Sequence, residues 1–536
     1  MAQNPETPTD PADTPASQDA SPSKAPLYRK QECLDLLAEI DEFQAMLAGT
    51  LRNPQLVETR QFRSSVLSEL KMLQKLELQL QQAGVGEDGA SEVDPMLETR
   101  LGHALHSSNL PFYQAVWKIA KGSCAGLAAL GKRFYWDREA KMSDKEQEKK
   151  VKPDGTKKPI KDKRNSVFVD VVAEGGQEWV KVSTISESRL LFEMAKKGWE
   201  CDSEDEALSG DEGEGPPRRT VLRNFEGEEG DDDDDDELEL IKLARDLRKA
   251  ADATRVRYRH PRIRVVLPKI EEGNVPEIDD IIREMRKFGL QVECQSSVRV
   301  DTTNAGLAQL LPQPFKNFTP TLNIDCTLLL AMVSDLSHVK DIPPAPTFHR
   351  AILRQIEVEK EHPLLPTELW PAMDEHELVC TKEAATRMRE IVQTIGTETE
   401  KTRMSIMIGD APNDQLDHKA AIERFQSLSD YQVPASWKIP VRVIDAQPVI
   451  DAGMAQRKLP PVADEVVKGL SDINHSVFMY GWVTGMTTIS SNRTVDKQIE
   501  STIENNRGGD EEIEGPFIWI CDTARSLVGK EKDRKA

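Results

Sequence analysis

Asp325 is the residue in this chain whose neighbours best equip it for chemistry. It closes the run Thr319-Pro-Thr-Leu-Asn-Ile324 and precedes Cys326, Thr327 and the apolar residues Leu328 to Leu330. The approach predicts a short strand, and Met332, Val333 and Leu336 continue a helical apolar run after it. An acid at the carboxyl end of a strand faces the crevice that α/β sheets open there, where a metal or phosphate is usually met. The competing expectation is an acid that caps the following helix from its N-terminus. Asp335, further down the same predicted helix, is expected to be solvated or hydrogen-bonded, and Asp522, after the last strand, is either a wall of the crevice or a turn residue.

Other groupings offer less. Gly175-Gly176 lacks the G-x-G-x-x-G spacing of a dinucleotide site and predicts a hairpin turn. Trp179 and Lys181 share one face of a strand, where core packing for the tryptophan outweighs base stacking. His103 and His106 stand at helical spacing without a third ligand near them, which argues against a zinc site. The basic stretch from Lys149 to Arg164 suits a nuclear localisation signal, non-specific phosphate contact or a solvated loop. Ser203 and Ser209, each followed by acids, suit an acid-directed kinase.

The elements that position these residues alternate between strand and helix. Apolar stripes at Cys33, Leu36, Leu37, Ile40, Phe43 and Leu47, and at Val66, Leu70, Leu73, Leu76 and Leu80, predict two amphipathic helices, the second closed by Gly84-Val-Gly86. Helices follow over 96–106 and 111–121, then a hairpin over 166–182 and a short helix over 189–197. Residues 238–253 predict a helix, and 262–294 a strand, a helix with Gly289 at its stop, and a strand. Beyond the Asp325 strand come a helix over 348–360, a strand over 377–381, a helix over 382–395, a strand over 438–444, a helix over 462–470 and a strand over 517–521. The fold class is therefore α/β in two domains, 28–300 and 315–530, after a disordered stretch 1–27. Two disordered inserts interrupt the first domain, a basic one at 140–165 and an acidic one at 202–237.

Composition narrows the class of protein. The chain of 536 residues carries a net charge of −22, of which −14 falls between Asp202 and Glu237. The acidity belongs to that segment and not to the folded body. The seven cysteines are scattered and never form C-x-x-C, which fits a reducing compartment. No apolar run reaches the roughly 18 residues of a transmembrane helix, and Met1 to Lys24 lacks a signal sequence. These features point to an intracellular soluble protein, cytoplasmic or nuclear.

Three segments together resemble one eukaryotic family. They are Glu69-Leu-Lys-Met-Leu-Gln-Lys-Leu-Glu77, Val169-Asp-Val-Val-Ala-Glu-Gly-Gly-Gln-Glu-Trp-Val-Lys181 and Leu322-Asn-Ile-Asp325-Cys-Thr327. The family is uncharacterised, with an N-terminal domain of unknown function and a C-terminal PIN-like domain. The PIN-like resemblance implies a nuclease-type fold whose clustered carboxylates hold Mg²⁺ or Mn²⁺ to activate water and neutralise phosphate. It implies Asp325 as the first acid and catalytic residue. The second acid falls on Lys382, with Glu383 as a displaced substitute, so the metal ligands would be Asp325 and Glu383. The third falls on Met486 in Val483-Thr-Gly-Met-Thr487, while Glu400 and Arg403 match as a pair fit for a salt bridge. The expectation is a non-catalytic interaction or nucleic-acid-associated protein on a degenerate PIN-like scaffold, with no cofactor and with a protein or RNA partner. The alternative is a metal-dependent RNA endonuclease using Asp325 and neighbouring carboxylates.

Overall fold

The computed structural model describes residues 25–51, 54–82, 103, 105, 107–136, 165–197, 237–298, 306–343, 348–521 and 525–528. The expectations for residues 1–24, Gly84 to Gly86, His106, the basic insert through Arg164, the acidic insert from 202 to 236 with Ser203 and Ser209, and Asp522 lie outside them. The chain divides into two compact units, drawn from Met1–Met46, Gln55–Ala250 and Arg262–Leu311, and from Leu47–Pro54, Ala251–Pro261 and Pro312–Ala536. Each is mixed α/β, as the alternation of strand and helix signals predicts. Among the described residues, no helix is long and apolar enough to cross a membrane.

The first unit opens with helices Ala25–Thr50 and Arg60–Gln82. The ion pairs Lys30–Glu77 (2.7 Å) and Arg63–Asp41 (2.6 Å) link early residues of one helix to late residues of the other, so the two run antiparallel. Ile40, Phe43, Val66 and Leu73 of their predicted stripes are buried. A five-stranded sheet follows in the order β1 (Ala129–Tyr135), β2 (Ser166–Ala173), β3 (Glu178–Val182), β4 (Arg262–Leu267) and β5 (Gln291–Cys294). The first three strands are antiparallel neighbours; β3, β4 and β5 are parallel.

The Gly-Gly turn of this unit is structural. Glu174, Gly175 and Gly176 take φ of 49°, 66° and 107°, the left-handed region that a tight hairpin needs and that glycine enters without steric cost. Trp179 is fully buried and stacks on Phe134 at 3.8 Å between ring centroids. Lys181 pairs instead with the buried Asp170 (3.1 Å), whose carboxylate also accepts the Val182 N–H (2.8 Å). Burial raises the Asp170 carboxyl above its ordinary range, and the Lys181 charge opposes that shift.

The second unit holds five parallel strands: β6 (Thr321–Ile324), β7 (Glu377–Thr381), β8 (Arg442–Ile444), β9 (Thr487–Ser490) and β10 (Ile518–Ile520). Their spatial order is β10-β9-β6-β7-β8. The chain therefore starts in the middle, builds outward to β8, then returns to the other side of β6 to add β9 and β10. The reversal lies between β6 and β9, the switch point at which doubly wound sheets open their crevice. Around the sheet, Leu322, Ile324, Leu329, Met388, Val392 and Ile489 belong to one buried apolar cluster.

Helix Cys326–Val333 does not continue to Leu336 as the apolar spacing suggests. Ser334 is extended (φ −62°, ψ 135°), and its Oγ accepts the Leu336 N–H (3.1 Å) to start a separate turn, Asp335–His338. A serine hydroxyl that caps a new helix competes with continuation of the old one.

Residues 251–261 pack within this second unit. Val256 and Arg259 exchange backbone hydrogen bonds across Arg257 and Tyr258, both left-handed at φ of 50° and 71°. Such non-glycine positions cost roughly 1–2 kcal/mol each and persist only where surrounding contacts hold them. Here Arg507 Nη2 donates to the Tyr258 carbonyl (3.4 Å), and Arg255 pairs with Glu504 (3.0 Å) and with Glu511. Gly515 leaves the space that the Tyr258 ring fills.

Beneath the sheet, Asn323 of β6 is fully buried and donates from Nδ2 to the Val477 carbonyl (2.8 Å) and to Thr488 Oγ1 (3.0 Å). Val477 sits in the π-turn His475–Met479, and its carbonyl accepts the Tyr480 N–H as well. A Cβ on Gly481 would overlap Thr488 Oγ1 and approach Asn323 Nδ2 to 3.4 Å. Gly481→Ala is therefore expected to cost about 1–3 kcal/mol, the usual penalty for overpacking. Urea midpoints measure it, and an unchanged midpoint would show that β9 and helix Tyr480–Thr484, which carries Gly481, are not in the tight contact described.

Candidate functional site

Asp325 follows β6 directly and stands at the N-cap position of helix Cys326–Val333. Its backbone N–H still belongs to the sheet, donating to the Ile489 carbonyl of β9 (3.0 Å). The side chain makes no cap hydrogen bond of ordinary geometry to the helix, although the Cys326 and Thr327 N–H groups in its first turn lie near enough to favour the charged carboxylate. Nor does it lie in a partly open crevice: Asp325 is 2% exposed. Its Oδ2 accepts two hydroxyls, Thr327 Oγ1 (2.7 Å) and Ser490 Oγ (2.7 Å).

Those hydroxyls are themselves held. The Ser491 N–H donates to Thr327 Oγ1 (3.3 Å), and the Asn492 N–H donates to Ser490 Oγ (2.9 Å). Asn492 then caps helix Arg493–Asn506 by accepting the Val495 N–H (3.3 Å). One carboxylate thus ties the end of β6, the start of its helix and the turn leaving β9. Burial pushes the Asp325 carboxyl up, and the Ser490 and Thr327 hydroxyls oppose that rise by stabilising the charged form.

Register places the neighbouring strand ends. Asn323 pairs with Val379 of β7, which carries Thr381 to the level of Asp325 on that side. Thr381 Oγ1 bonds Ser476 Oγ (3.0 Å) and caps helix Lys382–Ile395 through the Ala384 N–H (3.2 Å). In the first turn of that helix Lys382 is exposed and Glu383 half-buried, with Glu383 Oε2 buried and without a hydrogen-bond partner. On the other side Ile324 pairs with Ile489, which brings Ser490 beside Asp325.

That register corrects the position expected for the third acid. Met486 precedes β9 and packs half-buried against the core at the amino end of the strand, the far end from Asp325. The four-residue strand between them spans about 13 Å at roughly 3.3 Å per residue. The β9 residue that meets Asp325 is Ser490. A strand-like Thr487-Thr-Ile followed by Ser490-Ser-Asn before a helix was the available signal, and it parallels Leu322-Asn-Ile-Asp325.

Glu400 and Arg403, both on helix Glu398–Ile408, each serve a different set of groups. Glu400 is fully buried and accepts the N–H groups of Asp335 (3.0 Å), Thr397 (2.9 Å) and Val528 (3.2 Å). Arg403 donates to the Val333 and Leu428 carbonyls and to Asp335 Oδ1 (2.7 Å). Asp335, with Thr397 and Thr399 hydroxyls also bonded to it, is a structural acceptor. His338 is completely buried, and burial together with the Arg403 charge pushes its pKa down to about 3, so it is neutral. Among the described residues no three His, Cys, Asp or Glu side chains gather as a metal-holding group.

The stretch from β6 through the helices after β7 has a recognisable counterpart. Residues 322–428 match a family described as "Protein of unknown function (DUF1308)". The match contains Asp325, Glu383, Glu400 and Arg403 but stops before β8 and β9, so it does not reach Ser490. Neither the curated proteins nor the solved structures contain a match to the chain.

The raised pKa of Asp325 has a consequence for stability. The folded chain holds that proton to higher pH than the unfolded chain, so stability falls as pH rises from the ordinary aspartate value of about 4 toward the raised one. Asp325→Asn removes this titration while its amide oxygen can still accept the two hydroxyls. Denaturant midpoints of the variant relative to wild type should therefore shift in the variant's favour as pH rises above about 4. Parallel pH profiles would refute the assignment.

Proposed function

We propose that the chain is a non-catalytic interaction or nucleic-acid-associated protein built on a degenerate PIN-like scaffold, with an N-terminal domain of unknown function preceding it. A parallel, doubly wound sheet with an acid at its switch point supports the PIN-like part of this reading. The observation that carries the loss of catalysis is the state of Asp325. Its carboxylate is buried and its Oδ2 is committed to Thr327 and Ser490.

A divalent ion of the PIN-like type needs carboxylate oxygens free to bind it and enough negative charge to offset its dehydration. The residues present do not fit that demand. The neighbouring strand ends supply hydroxyls from Thr381 and Ser490, and the exposed Lys382 stands where the second acid is expected. Partner binding, to protein or to RNA, is then the role left for this scaffold, in the cytoplasm or nucleus. The basic run Lys149 to Arg164 favours a nucleic-acid partner by its charge.

One observation favours the alternative of a metal-dependent RNA endonuclease: the unpartnered, buried Glu383 Oε2 at the start of its helix. Two measurements on the purified chain separate the readings. Mn²⁺ is expected to leave the melting temperature unchanged below millimolar concentration, because a ligand stabilises only in proportion to its occupancy of the folded state. Single-stranded RNA is expected to survive incubation with Mn²⁺. Cleavage that disappears in Asp325→Ala, together with a Mn²⁺-dependent rise in melting temperature, would establish the endonuclease instead.

A further inference from the structure

Residues 525–528, Arg-Ser-Leu-Val, lie in the second unit in the manner of a bound peptide. Arg525 is 3% exposed, and its Nε and Nη2 reach Glu359 Oε2 at 2.6 Å and 2.5 Å. Glu359 is held in turn, its Oε1 accepting the Leu364 N–H (2.9 Å). Ser526 is engaged on three sides. Its N–H donates to Gln355 Oε1 (2.8 Å), its hydroxyl accepts from Gln355 Nε2 (3.1 Å), and its carbonyl accepts from Ser334 Oγ (2.6 Å). Leu527 is buried in the apolar cluster, and the Val528 N–H donates to Glu400 (3.2 Å).

The receiving groups come from three elements: helix Arg350–Glu361, the Ser334 cap of turn Asp335–His338, and helix Glu398–Ile408. Backbone and side chain are both recognised. The side-chain requirements are a cation for the buried Glu359, a small hydroxyl for Gln355 and an aliphatic group for the core. Charge-assisted bonds to a buried carboxylate are among the strong and geometrically selective contacts that proteins make.

We propose that this surface is a peptide-recognition groove, that residues 525–528 are the ligand it holds in cis, and that an extended partner segment with arginine, a small polar residue and an aliphatic residue in succession displaces them. A tethered ligand acts at an effective concentration of the order of millimolar, so cis occupancy dominates until a partner binds tightly or the strap is released. This inference does not rest on the state of Asp325.

The test uses the full chain carrying Arg525→Ala and Leu527→Ala, which weakens the strap, and a fluorescent peptide of residues 522–532. The peptide should bind the variant saturably and raise its melting temperature, and should bind wild type at least about tenfold more weakly, as cis occupancy requires. Adding Glu359→Gln to the variant should weaken peptide binding by about tenfold or more, since the charge-assisted pair is lost. A variant that neither binds the peptide nor is stabilised by it overturns the proposal. So does equal binding by wild type, or binding indifferent to Glu359→Gln.

Discussion

A carboxylate removed from water must be met by hydrogen-bond donors or it will not stay charged, and an unmet one costs several kcal/mol even after the surroundings relax. In the second unit that demand falls at the centre of the sheet, where β6 ends and the strand order reverses. The donors arrive from both available directions, Thr327 from the helix that follows Asp325 and Ser490 from the adjacent strand. Because Ser490 and Ser491 also anchor the turn into helix Arg493–Asn506, satisfying the acid fixes how β9 leaves the sheet. The same bonds engage Oδ2, one of the two oxygens of that carboxylate.

Other buried polar groups of this unit follow a related rule, and most of them gather where helices begin or end. Backbone N–H and C=O groups lack helical partners there and accept side-chain substitutes. Glu400 takes the N–H groups of Asp335, Thr397 and Val528, while Arg403 takes the carbonyls of Val333 and Leu428. Their identity is explained by the helix ends they complete, which accounts for two of the residues inside the stretch matched by the family profile without any appeal to catalysis.

Much of the architecture was legible because periodicity reports burial. The strand Glu377–Thr381 and helix Lys382–Ile395 appear where β-rich and 3.6-residue spacing place them, and the Gly175-Gly176 hairpin where turn chemistry places it. The strand Ala129–Tyr135 was not legible: Ala-Leu-Gly-Lys-Arg-Phe-Tyr shows no alternation, and only its antiparallel partner β2 makes it a strand. The break at Ser334 was hidden because the apolar spacing continues through it while a hydroxyl redirects the backbone. At the site, Asp325 was visible from its local context, but its true partner Ser490 lies 165 positions away. Spacing within a segment cannot report such a pairing, and matching Met486 to a motif put the partner at the wrong end of the strand.

The contacts of Tyr258 bear on the order in which the chain can fold during synthesis. Arg507, whose guanidinium donates to the Tyr258 carbonyl, is made 249 residues later. Between them the ribosome delivers β4 and β5, which belong to the first unit, and then most of the second. Apart from the local bonds between Val256 and Arg259, the left-handed backbone at Arg257 and Tyr258 therefore lacks the contacts that hold it until Glu504 to Gly515 have been made. Contacts of such long sequence separation form late, after loop closure has been met by other interactions. A fragment beginning at residue 312 would never form them, and would leave Gly515 facing an empty space shaped for a ring.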